Sequence, residues 1–517
     1  MLGEPLRRAW ARLHTWAGVV LGGVLFAVFW MGTLSVFDHE IDRWMMPPTR
    51  LAAAPPVSLD AAARAVAALA PGAAQWSLTL PSARTPTVQV RLPGSDALLH
   101  LDPSTFAELR PAPTLGGTGF IFPFHFMLHI DWLDLGLWIV GLCGMAMLVL
   151  TLSGVLIHKR ILRDFFMFRP RKAATRSLLD LHTALGVLAL PFHLVMPLSG
   201  LVIFFALFFP GTWQAAFDGD EAAFGREVFG SYQRPTAGAP GTLSSLDAMA
   251  AEAQRRWQGG RPFQVRLQLA GDAASYVEMR RAHTQDVSMN RDAIYFDAAT
   301  GAVLERFESK PIGAVQRFIA GIHFVQFEQW LLRWLYFCAG LAGCVMIATG
   351  LWFWLESRRA EHARRGWVGV RLVEALATGS VSGIIAATLA FFIANRCLPE
   401  AASAWGLGRQ RLELVAFYGV WLGMFCHAGW RGRAAWGEQC AAIAGLSCGA
   451  VALNWITTGD HPLRALSRGA TSVAAMDGVL LLLGVVCWLA ARRWRVRVAA
   501  PEPALELARG VVPSSEG

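Results

Sequence analysis

The fold of this chain is decided by residues 122–160, FPFHFMLHIDWLDLGLWIVGLCGMAMLVLTLSGVLIHKR. The middle of this stretch, Leu135 to Ile157, has no charged residue over about 23 positions, which is enough for a helix that spans a membrane. Histidines stand at both ends, with His125 and His129 before the apolar run and His158 after it. His125 and His129 are four positions apart, so they share one face of a helix. Imidazoles at both edges of one span indicate cofactor chemistry at both membrane surfaces.

The composition indicates a polytopic membrane protein. Of 517 residues, 54% are hydrophobic and only 16% are charged, and several apolar runs are long enough to cross a bilayer. The net charge of +9 comes from basic residues that cluster beside the apolar runs, which is the positive-inside pattern and not a nucleic-acid surface. The 8 cysteines include no CxxC pair, so neither a disulfide framework nor a zinc site is indicated. No acid–base pair, P-loop or nucleophile motif points to hydrolysis or ATP-driven transport.

We predict eight membrane spans with both termini in the cytoplasm. The first span, at 15–37, lacks a signal-cleavage site and is predicted to be an uncleaved anchor. The third span, LDLHTALGVLALPFHLVMPLSGLVIFF, contains Pro191 and Pro197, which should kink it. The loop before it, HKRILRDFFMFRPRKAATR, is strongly basic and is therefore predicted to be cytoplasmic. The other spans are predicted at 135–157, 334–355, 375–394, 414–430, 439–459 and 470–491.

Two polar segments interrupt the spans, at 38–124 and 210–322. Each begins with a helical pattern, LDAAARAVAALA or LSSLDAMAAEAQRRW, and continues with alternating strands such as TVQVRL and FQVRLQL. Both segments lie on the side opposite the basic loops. We therefore predict an all-α polytopic membrane protein that carries two small periplasmic α+β lobes.

The chain also contains an internal duplication. LHTWAGVVLGGVLFAVFWMG aligns without a gap on LHTALGVLALPFHLVMPLSG, which matches His14 with His182. Further along the two copies, His129 falls on His323. Both copies start and end on the cytoplasmic side, which predicts parallel repeats related by an axis along the membrane normal. The last four spans show no comparable match.

The histidines that match between the two copies are candidate ligands for haem iron. A lone histidine at a membrane surface usually anchors a helix end, as Trp or Tyr does. However, His14 and His182 are both expected at the cytoplasmic end, and His129 and His323 are both expected at the outer end. The two members of each pair would therefore face each other across the bundle. Two neutral imidazoles from facing helices commonly ligate haem iron, and bundle cores hold such sites.

Three further histidines are candidates for the same region. His193 follows His182 by eleven positions, about 16 Å along the same helix face. It is predicted to ligate a haem, to bridge two haems or to hydrogen-bond a propionate. His125 and His158 are alternative ligands or neighbours of the ligands. The histidines in polar or loop contexts are predicted to be ordinary surface residues: His39, His100, His283, His362 and His461.

The chain resembles the PepSY-associated transmembrane family over about residues 7–360. The resemblance rests on FHFMLHIDWLDLGLWIVGLCGMAML, SGVLIHKRILRDFFMFRPRK, LDLHTALGVLALPFHLVMPLSGL and IHFVQFEQWLLRWLYFCAGLAG, and on polar segments that look like PepSY modules. It implies a bacterial inner-membrane protein linked to iron uptake, and some members are dihaem b-type reductases of ferric siderophores. Carried onto this chain, it implies a haem region formed by His14, His125, His129, His158, His182, His193 and His323.

We therefore predict a membrane oxidoreductase with two haems b. Electrons from a cytoplasmic or quinone donor would pass through both haems to a ferric siderophore, or another periplasmic iron chelate, held under the lobes. Two other functions stay open: a haem-free protein whose lobes bind a periplasmic protein or peptide, and an iron-chelate permease. The expected parts are a span at 1–37, a lobe at 38–124, two spans at 125–209, a lobe at 210–322, a span at 323–360 and a four-helix extension at 361–517.

Overall fold

The structure is a computed structural model that describes residues 3–52, 55–94, 98–158, 174–366 and 369–499. Its contacts divide the chain into two compact units. The first unit is Met1–Ser357 with Arg464–Val473, and the second is Arg358–Leu463 with Ala474–Gly517. Most of the basic loop after the second span lies outside the described residues, so its cytoplasmic position stays a prediction.

Helices make up most of both units. Those before residue 366 are α1 (Glu4–Ser35), α2 (Asp38–Met45), α3 (Leu59–Leu69), α4 (Phe122–Met127), α5 (Leu135–Ile157), α6 (Ala174–Leu188), α7 (Leu190–Ile203), α8 (Phe205–Phe208), α9 (Pro210–Ala216), α10 (Glu221–Phe229), α11 (Leu246–Arg256), α12 (Pro311–Phe324) and α13 (Trp330–Arg365). Those after it are α14 (Gly369–Thr378), α15 (Ile384–Cys397), α16 (Arg409–Arg431), α17 (Ala434–Thr458), α18 (Pro462–Ser467) and α19 (Thr471–Ala499).

Seven helical stretches among the described residues are long and apolar enough to cross a membrane, and the bent pair α6–α7 makes an eighth if it counts as one span. α5 has the bounds predicted for the second span, because no charged residue interrupts it between Asp134 and His158. The kink predicted for the third span lies at Ala189, where α6 and α7 meet at 65°. Pro191 falls in the first turn of α7. A backbone N–H at this position has no partner within the helix, so a proline there costs no hydrogen bond.

The two polar segments form one sheet, where the sequence predicted two separate lobes. Four consecutive strands come from each segment, and β1 pairs with β5 across the join, with Ser77 opposite Arg266. The join satisfies two strand edges that would otherwise expose unpaired N–H and C=O groups. We call these strands with α3 and α11 the sheet domain. The strands are β1 (Gln75–Thr79), β2 (Val88–Arg91), β3 (Leu98–Leu101), β4 (Glu108–Leu109), β5 (Pro262–Gln268), β6 (Tyr276–Arg281), β7 (Ala293–Asp297) and β8 (Val303–Phe307), in the antiparallel order β4-β3-β2-β1-β5-β6-β7-β8.

One hydrophobic core serves both halves of the sheet domain. It contains Leu78 and Val90 from the first half and Val265 and Phe296 from the second, and all four are fully buried. Buried residues alternate with more exposed ones along β1 and β2, as expected for strands with one covered face. α3 and α11 both contribute to this core, so neither half is complete without the other.

The helices α3 and α11 cap each other at their first turns. Asp247 of α11 accepts a hydrogen bond from the Leu59 N–H of α3 at 2.7 Å. Asp60 of α3 accepts one from the Leu246 N–H of α11 at 2.6 Å. Each carboxylate also accepts a hydrogen bond from the hydroxyl of the serine that precedes the leucine it caps. These bonds satisfy N–H groups that a helix leaves unpaired at its start, and they fix the two halves in one register.

Three histidines predicted to be surface residues are buried: His100, His283 and His362 are 7%, 8% and 6% exposed. The Nδ1 of His100 lies 3.0 Å from the Thr87 hydroxyl inside the sheet domain, where burial lowers the pKa of His100 to about 4. His283 packs edge-on against Phe263. Their polar sequence neighbours gave the wrong prediction, because the burial of a side chain depends on tertiary contacts that the composition of its own segment does not show.

The second unit is helical and contains α14 to α17 with most of α19. α15 packs against α16 and α17. Within this unit Glu413 is fully buried, 2.7 Å from Arg409 and 2.9 Å from the amide nitrogen of Asn395. A charged group inside an apolar bundle needs such partners to offset the loss of water.

Candidate functional site

Two histidines from separate helices form what we call the inner pair. His14 of α1 and His182 of α6 have ring centres 6.3 Å apart, with ring planes at 84°. The Nδ1 of His14 lies 3.0 Å from the carbonyl oxygen of Leu150 on α5. The Nδ1 of His182 lies 2.8 Å from the carbonyl oxygen of Met346 on α13. Each ring is therefore oriented by a backbone oxygen of a neighbouring helix.

A second set, which we call the outer pair, has the same construction. His125 of α4 and His323 of α12 have ring centres 6.0 Å apart and planes at 27°. The Nδ1 of His125 lies 2.9 Å from the carbonyl oxygen of Val28 on α1. His323 hydrogen-bonds to the backbone of Met196 on α7, and its Nδ1 lies 2.9 Å from the Ser199 hydroxyl.

A glycine follows each of these four backbone partners by four residues, one helical turn later. A Cβ on Gly32 would lie 2.6 Å from the ring of His125, and a Cβ on Gly200 would lie 3.0 Å from the ring of His323. At the inner pair, a Cβ would lie 3.4 Å from His14 at Gly154 and 3.1 Å from His182 at Gly350. The imidazoles thus occupy space that glycine leaves open on each partner helix.

The hydrogen bonds decide which ring nitrogen is available for a ligand. When the Nδ1–H of a neutral imidazole donates to an oxygen, Nε2 keeps its lone pair. Metal-binding histidines are usually held in this way. A metal between two such nitrogens at about 2.0 Å would separate the ring centres by roughly 6 Å, because each centre lies about 1.1 Å from its nitrogens. The observed separations of the ring centres, 6.3 and 6.0 Å, are close to this value.

The outer pair borders an apolar cavity. His125 and His323 line the cavity together with Gly32 and Gly200, and the remaining walls are largely aliphatic and aromatic. A flat, apolar macrocycle requires such space beside its ligands, so the residues present fit haem b.

His129 lies outside the outer pair, although the sequence aligned it with His323. Leu128 ends α4 in the left-handed conformation, and His129 follows it with φ of 51°. The Nε2 of His129 lies 3.1 Å from the carbonyl oxygen of Phe120. His158 is the residue that ends α5. The structure therefore places His125, one helical turn earlier, beside His323.

His193 lies in α7 between the levels of the two pairs, and it is 1% exposed. Its ring meets Phe29 of α1 at 6.3 Å between centres. A Cβ on Gly343 of α13, three residues before Met346, would lie 3.2 Å from its Nε2. Neither ring nitrogen makes a well-formed hydrogen bond to the described residues, although the Ala339 backbone lies nearby. A buried polar ring in this state requires a specific explanation.

A buried ion cluster holds the chain where α1 ends. Arg84 of the sheet domain lies 2.9 Å from Asp38 and 3.0 Å from Glu40, and Arg333 of α13 lies 2.6 Å from Glu40. Both arginines also donate to the carbonyl oxygen of Val36. Burial by itself raises the pKa of Glu40, but the two arginines outweigh it and lower that pKa to about 2. The cluster joins α1, α13 and the sheet domain.

No local sequence pattern predicts this cluster, because its members are far apart in the chain. Arg333 and Glu40 are separated by 293 positions, and no local pattern relates them. The available signal was an arginine at the edge of an apolar span, where a buried charge is rarely tolerated without a partner.

Comparison with known proteins gives the family. The PepSY-associated TM region matches residues 11–357. The chain belongs to the PepSY-associated transmembrane family. One similar protein is an uncharacterized protein of Pseudomonas aeruginosa, 30% identical over 387 residues, which cover 70% of this chain and 91% of that protein. Both histidine pairs of this PepSY-associated protein lie within the matched region, and most of the second unit follows it.

Proposed function

We propose that this PepSY-associated membrane protein is a haem b oxidoreductase of the bacterial inner membrane that passes electrons to a periplasmic ferric chelate. The observation that supports it is the shared construction of the two pairs, with ring centres 6.3 and 6.0 Å apart and each Nδ1 held by a neighbouring helix. His14 and His182 would hold one haem, and His125 and His323 would hold the other.

The residues of the chain have defined roles in this proposal. When bound, haem b supplies one-electron transfer between Fe(III) and Fe(II). The backbone carbonyls orient each imidazole, and the glycines leave the space that the rings and the cofactor need. His14 and Val28, the α1 contact of the outer pair, are fourteen positions apart on one helix, about 21 Å along its axis. The two pairs therefore lie at different depths, as transfer across a membrane requires.

The proposed substrate is a ferric siderophore or another periplasmic iron chelate, and each Fe(III) would take up one electron. Hard oxygen ligands hold Fe(III) tightly, and the softer Fe(II) less so, which makes reduction a way to release the iron. A cytoplasmic or quinone donor would supply the electrons. The sheet domain would be the docking surface, and the second unit would be a docking platform or an electron-input module.

We also infer that the sheet domain is periplasmic, that both termini are cytoplasmic and that the first unit contains two parallel repeats. The basic residues beside the opposite ends of the spans support this topology. The repeated order of one helix and four strands in the sheet domain supports the duplication. A cysteine introduced at Ser104 or Ala299 should react with an impermeant thiol reagent in intact spheroplasts. Labelling only after lysis would contradict the topology.

The test of function separates the two pairs. His323→Ala should remove the outer haem and collapse ferric-chelate reduction by membranes, while the inner haem stays bound and reducible. His182→Ala should abolish reduction of both haems by the physiological donor but leave the outer haem reducible by dithionite. Wild-type chelate reduction in His323→Ala membranes would show that the outer pair is not the exit site. Purified protein without a Soret band would exclude haem and favour a binding protein or a permease.

A further inference from the structure

Two arginines lie beside the same aromatic ring at the end of α10. The guanidinium of Arg291 lies 5.4 Å from the centre of the Phe229 ring, and that of Arg317 lies 5.8 Å from it. Arg317 belongs to α12, the helix that carries His323, and Arg291 precedes β7. The Met289 N–H donates to the Arg317 carbonyl oxygen at 3.1 Å, which fixes the loop before Arg291 on α12.

The nearby carboxylates are engaged with other cations. Glu278 pairs with Arg280 and, at 3.4 Å, with Arg266, and Asp292 lies 3.5 Å from Arg281. Across the part of the chain that the structure describes, Arg291 and Arg317 have no carboxylate within 4.0 Å. The two guanidinium charges beside Phe229 are therefore not compensated by an acidic side chain.

Arg317 is 3% exposed, so its charge lies away from bulk water. Its Nη2 donates to the Val228 carbonyl oxygen at 2.8 Å, and its Nε has no hydrogen-bond partner among the described residues. Burial, together with the charges of Arg291 and Arg280, lowers the pKa of Arg317 to about 10. A buried charge with so few partners is costly, and an anion beside it would offset that cost.

We propose that Arg291 and Arg317 form an anion site beside the sheet domain that takes a carboxylate group of the ferric chelate. Arg291 is half-buried and would make the direct contact, and Arg317 would act as a second charge behind the same ring. The guanidinium fork matches a planar carboxylate with two parallel hydrogen bonds. The site follows from the geometry of these residues, and its assignment to an iron substrate rests on the proposed function.

The substrate class that follows is an anionic, carboxylate-bearing chelate of Fe(III). A neutral trihydroxamate chelate presents no free carboxylate to the arginines. α12 connects the site to the outer pair, because Arg317 and His323 are six positions apart, about 9 Å along the helix axis. A chelate anchored at Arg291 would thus be held near the helix that carries an outer ligand.

The test uses the full chain in zwitterionic lipid nanodiscs, oxidised and without an electron donor, with ferric citrate as the probe. Isothermal titration should give a Kd that rises about tenfold in Arg291→Gln, since a hydrogen-bonded charge partner is lost. Arg317→Gln should also raise the Kd for ferric citrate. If Arg317→Gln does not fold, Arg291→Gln decides alone, because that side chain is only half-buried. Arg255→Gln is the matched control, since Arg255 is an exposed arginine of the same domain whose side chain is 70% exposed.

Several outcomes would overturn the site. They are an unchanged Kd in Arg291→Gln, an equal loss in Arg255→Gln, and an equal effect of Arg291→Gln on a neutral ferric trihydroxamate. Loss of ferric citrate binding when the nanodiscs contain phosphatidylglycerol would assign the arginines to a lipid headgroup. The Soret spectrum of each variant separates this proposal from the previous one. An unchanged Kd with normal haem removes only the anion site, and a haem-free protein with the Arg291 effect removes only the reductase.

Discussion

His125 and His323 lie with their ring centres 6.0 Å apart and their planes within 27° of parallel. Both rings are held through Nδ1, and both fill the space beside a glycine, Gly32 or Gly200. The same arrangement recurs in the inner pair. Because two independent sites share one construction, the position of each imidazole reflects the helix partners and not a chance contact.

The first prediction separates His125 from His129. His125→Ala should lower the haem content from about two to about one per chain, because it would remove a proposed ligand of the outer haem. His129→Ala, the matched control four positions away, should keep both haems, since its Nε2 already faces the Phe120 carbonyl oxygen. The pyridine haemochromogen assay measures the ratio. Loss of haem in His129→Ala with retention in His125→Ala would reverse the assignment.

The second prediction concerns the space beside the outer pair. Gly32→Ala should displace the His125 ring, because the new methyl group would lie 2.6 Å from it inside a packed bundle. We expect loss of the outer haem or a high-spin spectrum. Gly18→Ala, on the same helix, would meet only the Leu150 side chain at 3.8 Å and should keep wild-type spectra. Identical spectra in the two variants would show that Gly32 is not needed to make space for the His125 ring.

The third prediction tests whether His193 is a ligand. His193→Leu should retain both haems, since His193 belongs to neither pair, and it should not lower the melting temperature, because it removes a buried ring without well-formed hydrogen bonds. His182→Leu, in the preceding helix, should lose the inner haem. The haem-to-protein ratio and thermal unfolding measure both effects. If His193→Leu retained only one haem, His193 would have to be reassigned as a haem ligand.

The fourth prediction concerns pH and Asp42 of α2. Burial, aided by the charge of Asp38, raises the pKa of Asp42 from 3.8 to about 7, although Thr118 and Gly117 donate hydrogen bonds to it. Because the folded state binds the proton more tightly than the unfolded chain, the contribution of Asp42 to stability should be fully present below about pH 4 and should be lost as the pH rises through 7. The partial exposure of Asp42 limits the loss to about 2 kcal/mol.

Asp42→Asn should remove this part of the pH dependence, since the amide stays neutral and its one oxygen can still accept from the Gly117 N–H. Thermal unfolding of the wild type and the variant at pH 5 and pH 8 would measure it. Asp131→Asn, at an exposed carboxyl before α5, is the control and should leave the melting temperature unchanged at both pH values. Equal pH dependence in the wild type and Asp42→Asn would contradict the assignment to Asp42.

The positions of the long apolar helices were readable from the sequence. Apolar length is a local property, so the run Leu135 to Ile157 predicted α5 with its bounds, and two prolines predicted the bend of the third span. His14 and His182 could be proposed as partners because they occupy the same place in two aligned copies. The first two inferences depend on a pattern within one segment, and the third depends on a comparison of two segments of the chain.

The tertiary structure decided which residues meet. His125 replaces His129 beside His323 because a left-handed residue, Leu128, ends α4 and turns the chain before His129. The join between β1 and β5 and the Arg333–Glu40 ion pair link residues that are nearly two hundred or more positions apart. Strand pairing and buried charge pairing depend on which surfaces the folded chain brings together, and a local sequence pattern carries no record of that.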